Sequence, residues 1–290
     1  MKIGLFLHKI NTFTHTAGVW GENLWANAMV KGFEKLGHVA TAYGENMGYF
    51  PKEVDLAIYF HSDLPSFENP VGKQNVAIFH NWNAQILLET RLKPYLDFKG
   101  KVATISKVLA IRHNWLFLVP CVDLDFFHSV EHDESYNYDL AFIGNAIKEP
   151  DLCVKFLSKP RKDLKYGIFG NGFNKVLSHE DSLKIYTASL ANLSFSMKEC
   201  FALDGLIARP FQISACKGLV ISDKLPTLME IFGDSMLYAE NSIDILRHIE
   251  WLVDNSETRD KMREKAYQIV KENYNSEVSM RKLLEWVYKC

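Results

Sequence analysis

The sequence predicts an α/β protein made of two Rossmann-like domains that face each other across a cleft. Three observations carry this. Short apolar runs of the buried parallel-strand type recur along the whole chain, most of them followed by a helical pattern. Glycine stops helices just before the next apolar run, as in a βαβ crossover. One stretch, Asp204 to Asp223 (DGLIARPFQISACKGLVISD), shows the second part of that unit: a polar lead-in, an apolar helix face, the stop Lys217-Gly218 and the buried strand Leu219-Val220-Ile221. At 290 residues the chain has room for two domains of modest size.

Composition narrows the function classes. The chain is 48% hydrophobic and 23% charged, with a net charge of −2, as in an ordinary soluble globular protein. Neither half is polybasic, which argues against a strong electrostatic grip on nucleic acid or anionic membrane. No stretch approaches the roughly 20 apolar residues of a membrane span. The amino-terminal apolar run is too short for a signal peptide and reads as a first strand. Cys121, Cys153, Cys200, Cys216 and Cys290 are odd in number and form no C-x-x-C pair. Free thiols in a reducing compartment follow, so a cytoplasmic location and no metal site are expected.

In the first half, Lys2 to His8 is a strand, and a polar loop containing Gly18 follows. A helix runs from Gly21 to Leu36 with Trp25, Met29, Phe33 and Leu36 on one stripe. Gly37 stops it, and His38–Tyr43 is the next strand. Asp55–His61 and Asn75–His80 are two more apolar strands, each ending in histidine. Ligands of open α/β sheets sit beyond the carboxyl ends of the strands. His8, His61 and His80 are therefore expected on one rim, although their proximity depends on a strand order that the sequence does not reveal. The turn His80-Asn81-Trp82-Asn83 before the helix Ala84–Tyr95 is the richest in polar groups, so His80 or Asn81 is the expected acceptor contact. Lys101–Ser106 is a strand, Lys107–Asn114 a helix, and Leu116–Pro120 leads into Cys121–Phe127. Asp123-Leu124-Asp125 imitates a D-x-D metal motif, but two carboxylates are a weak metal signal, and a structural role is preferred.

The first domain is taken as residues 1–124 and the second as 125–290. Tyr138–Gly144 restarts a strand. In the loop after it, Gly144 permits close backbone approach and Lys148 supplies charge. A helix at Asp151–Leu157 follows, then the strand Lys165–Phe169 and Gly170-Asn171-Gly172, which is not a dinucleotide fingerprint. Ser182–Ala188 is a helix and Ala191–Phe195 a strand, with Ser196 beyond it. The N–H groups around Leu206–Ala208 and the Arg209 charge one turn in suit a phosphate. The chain closes with Pro226–Phe232 (helix), Ser235–Tyr238 (strand) and helices at Ser242–Val253, Ser256–Asn273 and Glu277–Tyr288, the last with Ser276 as N-cap.

Several of these segments resemble GT-B glycosyltransferases, most of all the CgeB-like and family 4 members. Phe211–Gly218 (FQISACKG) is similar to their FE-x-x-A-C-G-type run in the donor-binding segment. Leu36-Gly37-His38-Val39 resembles the turn that ends their first helix, Leu116–Pro120 running into Cys121–Phe127 the segment crossing between domains, and Ile185–Ser196 the stretch before the donor loop. Asp204 and Gln212 stand at the spacing of two family glutamates, and both can hydrogen-bond sugar hydroxyls. The resemblance implies a GT-B fold and transfer of a sugar from a nucleotide-sugar donor, retaining and metal-independent, with no tightly bound cofactor. UDP-sugar is the first expectation, with GDP- or ADP-sugar as alternatives; the acceptor is open between a carbohydrate, a lipid-linked group and others, and nucleic acid is not indicated. His80 and Asp204 are the expected catalytic residues. Gly144, Lys148, Ser196, Gly205, Arg209 and Gln212, with Asp204, are expected to bind the donor; His8, Gly18 and Asn81 are expected on the acceptor side. Three alternatives stay open: a non-catalytic sugar-nucleotide binder, an epimerase of the same fold and a DNA-modifying glycosyltransferase.

Overall fold

The computed structural model describes residues 1–9, 21–80, 88–145, 156–157, 161–173 and 175–289. The first half is a six-stranded sheet: β1 (Lys2–Leu7), β2 (Val39–Gly44), β3 (Val54–Tyr59), β4 (Gly72–Phe79), β5 (Lys101–Thr104) and β6 (Leu116–Phe117), in the order β2-β1-β3-β4-β5-β6. All its pairs are parallel. Helices α1 (Gly21–Lys35), α2 (Pro65–Glu68), α3 (Leu88–Leu96) and α4 (Lys107–His113) connect these strands. The central strands are buried on both faces, with Leu5, Phe6, Leu56, Ile58, Val76 and Ile78 at 2% exposure or less, the pattern a parallel sheet demands.

The second half is a five-stranded parallel sheet in the order β11-β10-β9-β7-β8: β7 (Leu140–Asn145), β8 (Tyr166–Asn171), β9 (Ala191–Ser194), β10 (Val220–Ser222) and β11 (Leu237–Tyr238). Its described helices are α5 (His179–Ala188), α6 (Lys198–Ala202), α7 (Arg209–Ala215), α8 (Pro226–Phe232), α9 (Ser242–Asp254), α10 (Ser256–Asn273) and α11 (Ser276–Tyr288). No helix among the described residues is long and apolar enough to cross a membrane.

The last helix returns to the first half. Met280, Leu283 and Val287 of α11 belong to the same buried cluster as Phe6, Met29 and Phe33. Gly32 of α1 makes this crossing close: a Cβ there would lie 2.2 Å from the Ser276 carbonyl oxygen. Lys101, at the start of β5, donates from Nζ to the carbonyls of Trp286 and Val287 at 2.8 Å each. A cation there also complements the negative end of the helix.

Several local expectations are corrected. Gly144 is not in a loop: it lies inside β7, paired with Gly170 of β8. Gly170 sits at φ +117°, and a Cβ on it would fall 1.9 Å from the Gly144 carbonyl oxygen, so a larger residue is excluded there. The helix expected to open near Gly205 starts at Arg209, with Pro210 in its first turn. The preceding residues are held instead in a bridge between Gly205 and Ser106. Asn275, not Ser276, caps α11, accepting from the Val278 N–H at 3.0 Å. The Asp123 carboxylate accepts from the Asp125 N–H at 3.0 Å within its own turn, and Asp125 pairs with Lys35 at 2.8 Å.

Candidate active site

Strand order decides the first rim. Because β1, β3 and β4 are neighbours, the histidines that follow them meet. The His8 and His61 ring centroids lie 4.3 Å apart, and those of His61 and His80 5.6 Å apart. His8 bonds through Nδ1 to Glu45 at 2.9 Å and through Nε2 to Asp63 at 2.8 Å. Burial lowers the His8 pKa, but the two carboxylates outweigh it and the net shift is upward. Glu22, in the first turn of α1, places Oε2 3.1 Å from His61 Nε2. Burial would raise the Glu22 pKa; the adjacent His61 outweighs burial and holds it below its ordinary value.

His80 is the most constrained of the three. Its Nε2 lies 3.0 Å from the Phe60 carbonyl. A carbonyl only accepts, so the proton sits on Nε2 and Nδ1 carries the lone pair. Burial, then the nearby His61, pushes its pKa down to about 4. The ring is therefore neutral at pH 7. Trp25, one turn after Glu22, packs edge-on against it at 5.8 Å.

The second rim gathers at the ends of β9 and β10. Asp223, 5% exposed, accepts from the Ser196 N–H at 2.8 Å, Ser196 Oγ at 3.3 Å and Ser222 Oγ at 3.0 Å. Burial nevertheless raises its pKa. Arg209 lies with its guanidinium carbon 5.4 Å from the Phe142 ring centroid. Burial lowers its pKa, while Tyr186 and Asp223 pull the other way. Among the described residues, the Arg209 and Gln212 side chains have no recorded hydrogen-bond partner. Each is partly exposed. Asp223 was missed as a site residue, although it follows an apolar strand directly, where open α/β sheets place their ligands. Glu22 carries no sequence signal beyond its place in the first turn of a helix.

The segment from Ser196 to Arg209 ties the two rims together. Ser196 is fixed on Asp223, whereas Cys200 lies in the core of the first half, with Met197, Leu203 and Ile207 packed against it. The Leu206 N–H donates to the Ile105 carbonyl at 3.0 Å, and the Gly205 N–H to Cys200 at 2.8 Å. These two N–H groups are therefore committed to the fold, one to the residue after β5 and one within the segment itself. Asp204 also has a partner: its carboxylate accepts from the Thr227 N–H at 3.0 Å and Thr227 Oγ1 at 2.5 Å, capping α8. Gly18, Asn81 and Lys148 lie outside the described residues. A cavity of ≈ 340 Å³ lined by Tyr95, Gly100, Trp115 and Trp286 opens at the amino end of β5, opposite the histidine rim.

Residues 149–285 match a family described as glycosyl transferase-like. No curated protein matched the chain by sequence. Among solved structures, it is similar to an alpha-glucosyltransferase in complex with UDP-glucose and abasic-site DNA (12% identity, TM-score 0.66, 100% of both chains). It is also similar to the T4 phage BGT with its UDP-glucose substrate (14%, 0.66, 100% of both chains). A third similar structure is sucrose-phosphate synthase from Thermosynechococcus elongatus (10%, 0.66, 98% of both chains). The chain thus has the GT-B fold, and its residues 149–285 are similar to the glycosyl transferase-like family.

Proposed function

We propose that this chain is a glycosyltransferase that binds a nucleotide-sugar donor on the rim of the second sheet and passes the sugar to an acceptor at the rim of the first. In this reading residues 1–124 form the acceptor side and 125–290 the donor side. The observation that carries it is the Ser196–Arg209 segment, which is anchored in both halves and brings Arg209 to the second rim. When the sugar–phosphate bond breaks, positive charge develops at the sugar and the diphosphate departs as an anion. Protein cations placed beforehand stabilise that anion. Arg209 serves this role beside Phe142 and Tyr186, assisted by Lys148. Gln212 reaches donor hydroxyls, and Ser196 and Asp223 shape the floor. Gly205 and Asp204 position this segment rather than grip the diphosphate. On the acceptor side, His80 is the proposed catalytic contact to the acceptor, and His8, Gly18 and Asn81 are further proposed acceptor-side residues.

UDP-sugar is the first donor choice, because similar folds hold UDP-glucose; GDP- and ADP-sugars are the alternatives. Retention of the anomeric configuration and independence from metal at the diphosphate rest on the family resemblance. A DNA acceptor is a second reading, favoured by the DNA in one similar structure and opposed by a net charge of −2. The test is thermal unfolding with UDP, GDP, ADP and CMP, each alone and as sugar conjugates. A ligand at about 100 times its dissociation constant adds roughly 2.7 kcal/mol, a shift of several degrees. One nucleotide family should shift wild type, and Arg209→Ala should abolish the shift. No shift with any of them refutes donor binding.

A further inference from the structure

We propose that Glu22, His61 and His80 form a binding site for one divalent transition-metal ion on the first rim. Their ligand atoms all lie within 4.8 Å of one another. Two donors on one metal, with bonds of about 2.1 Å, stand roughly 3.0–3.4 Å apart at octahedral or tetrahedral angles. Glu22 Oε2 and His61 Nε2 stand 3.1 Å apart.

Two further observations point to a ligand. His61 is only 6% exposed, and its Nε2 is buried without a hydrogen-bond partner among the described residues. Although Glu22 lies at ion-pair distance, the pair is out of line for a ring hydrogen bond. A buried polar atom left in this state is costly unless something else satisfies it. Second, the Phe60 carbonyl fixes the proton of His80 on Nε2, leaving Nδ1 as an electron-pair donor. A ring nitrogen held by a backbone carbonyl while the other faces a metal is the usual outer-shell arrangement of metal-binding histidine. The same carbonyl belongs to the residue before His61, so one turn of backbone orients both imidazoles.

His8 and Asp63 form an overlapping group with His61. Both His8 nitrogens are already bonded to carboxylates, so that pair is complete without a metal. Two imidazoles and one carboxylate suit zinc, cobalt or iron better than magnesium or calcium. The three ligands come from α1 and from the ends of β3 and β4, so packing holds them in place. A three-ligand set leaves a coordination position open to a further ligand. The inference concerns the acceptor side of the proposed site but does not rest on sugar transfer, because its readout is metal binding.

The experiment is equilibrium dialysis of the full chain against Zn²⁺, with visible absorption of the Co²⁺ form as the second readout. Wild type should bind one ion per chain, and the Co²⁺ spectrum should show nitrogen and oxygen ligation without thiolate charge-transfer bands. Glu22→Gln and His61→Asn should each weaken binding by more than about 100-fold, beyond what outer-shell changes cost. Glu22→Gln keeps the side-chain shape, and its melting curve checks that it is folded. His128→Ala, on an exposed residue, should bind as wild type. Absence of stoichiometric binding in folded wild type overturns the proposal. So does a thiolate spectrum, or unchanged affinity in folded Glu22→Gln.

Discussion

Replacing Asp204 by Ala separates a structural role from a catalytic one. In the structure both carboxylate oxygens are occupied, by the N–H and the hydroxyl of Thr227, and Thr227 is 2% exposed. The alanine variant leaves both donors without that acceptor. Loss of a helix cap costs about 1–2 kcal/mol, and an abandoned buried donor about 1–3 kcal/mol. The N–H belongs to both terms, so the expected total is about 2–4 kcal/mol. Asp204 also has φ +49°, which Asp tolerates better than Ala. At about 2–4 °C per kcal/mol, the melting point should fall by roughly 4–16 °C. Asp204→Asn keeps one acceptor oxygen and should lose about half as much. Calorimetry without ligand measures this, and a parallel UDP-glucose turnover assay separates folding from chemistry. An alanine variant that melts with wild type but has lost turnover would refute the capping argument and return the carboxylate to the sugar.

Two further predictions follow from the packing and the buried charge. Gly32→Ala should destabilise despite the better helix propensity of alanine. The added Cβ meets the Ser276 carbonyl at 2.2 Å, and Ser276 is itself held by a 2.9 Å bond to Val122; earlier cleavage of the C-terminal helix in limited proteolysis would show it. Asp223 has a folded pKa above its ordinary value of 3.8. Its contribution to stability is therefore fully present below about pH 4 and is lost as pH rises through the folded pKa. Urea denaturation from pH 4 to 8 should show wild type losing ground to Asp223→Asn as pH rises, and the opposite trend would mean that Arg209 stabilises the carboxylate.

The elements themselves were largely legible. Helices Pro226–Phe232 and Ser256–Asn273 have the bounds that their periodicity indicates, because local pattern dominates where one apolar face meets one core. Boundaries failed where a distant group intervened. Gly205 and Leu206 left the expected helix because the Leu206 N–H goes to Ile105 and the Gly205 N–H to Cys200, with Gly205 bridged to Ser106. β7 runs one residue past Gly144 to Asn145, where Gly170 lets the two backbones close up. At the site, a histidine at the end of each of three apolar runs was visible, but not whether the three meet.

Composition and periodicity alone determined that the chain is α/β, that its sheets are parallel and that their carboxyl rims carry the polar groups. These properties depend on which residues are apolar and how they are spaced along the chain. Tertiary structure alone decided that β1, β3 and β4 are neighbours, which turns His8, His61 and His80 into one cluster. It also decided that Glu22 faces His61, that Asp204 caps a helix 22 residues further on, and that the last helix belongs to the first core. Strand order and long-range caps are set by the mutual fit of whole buried faces, and no local stretch of sequence encodes that fit.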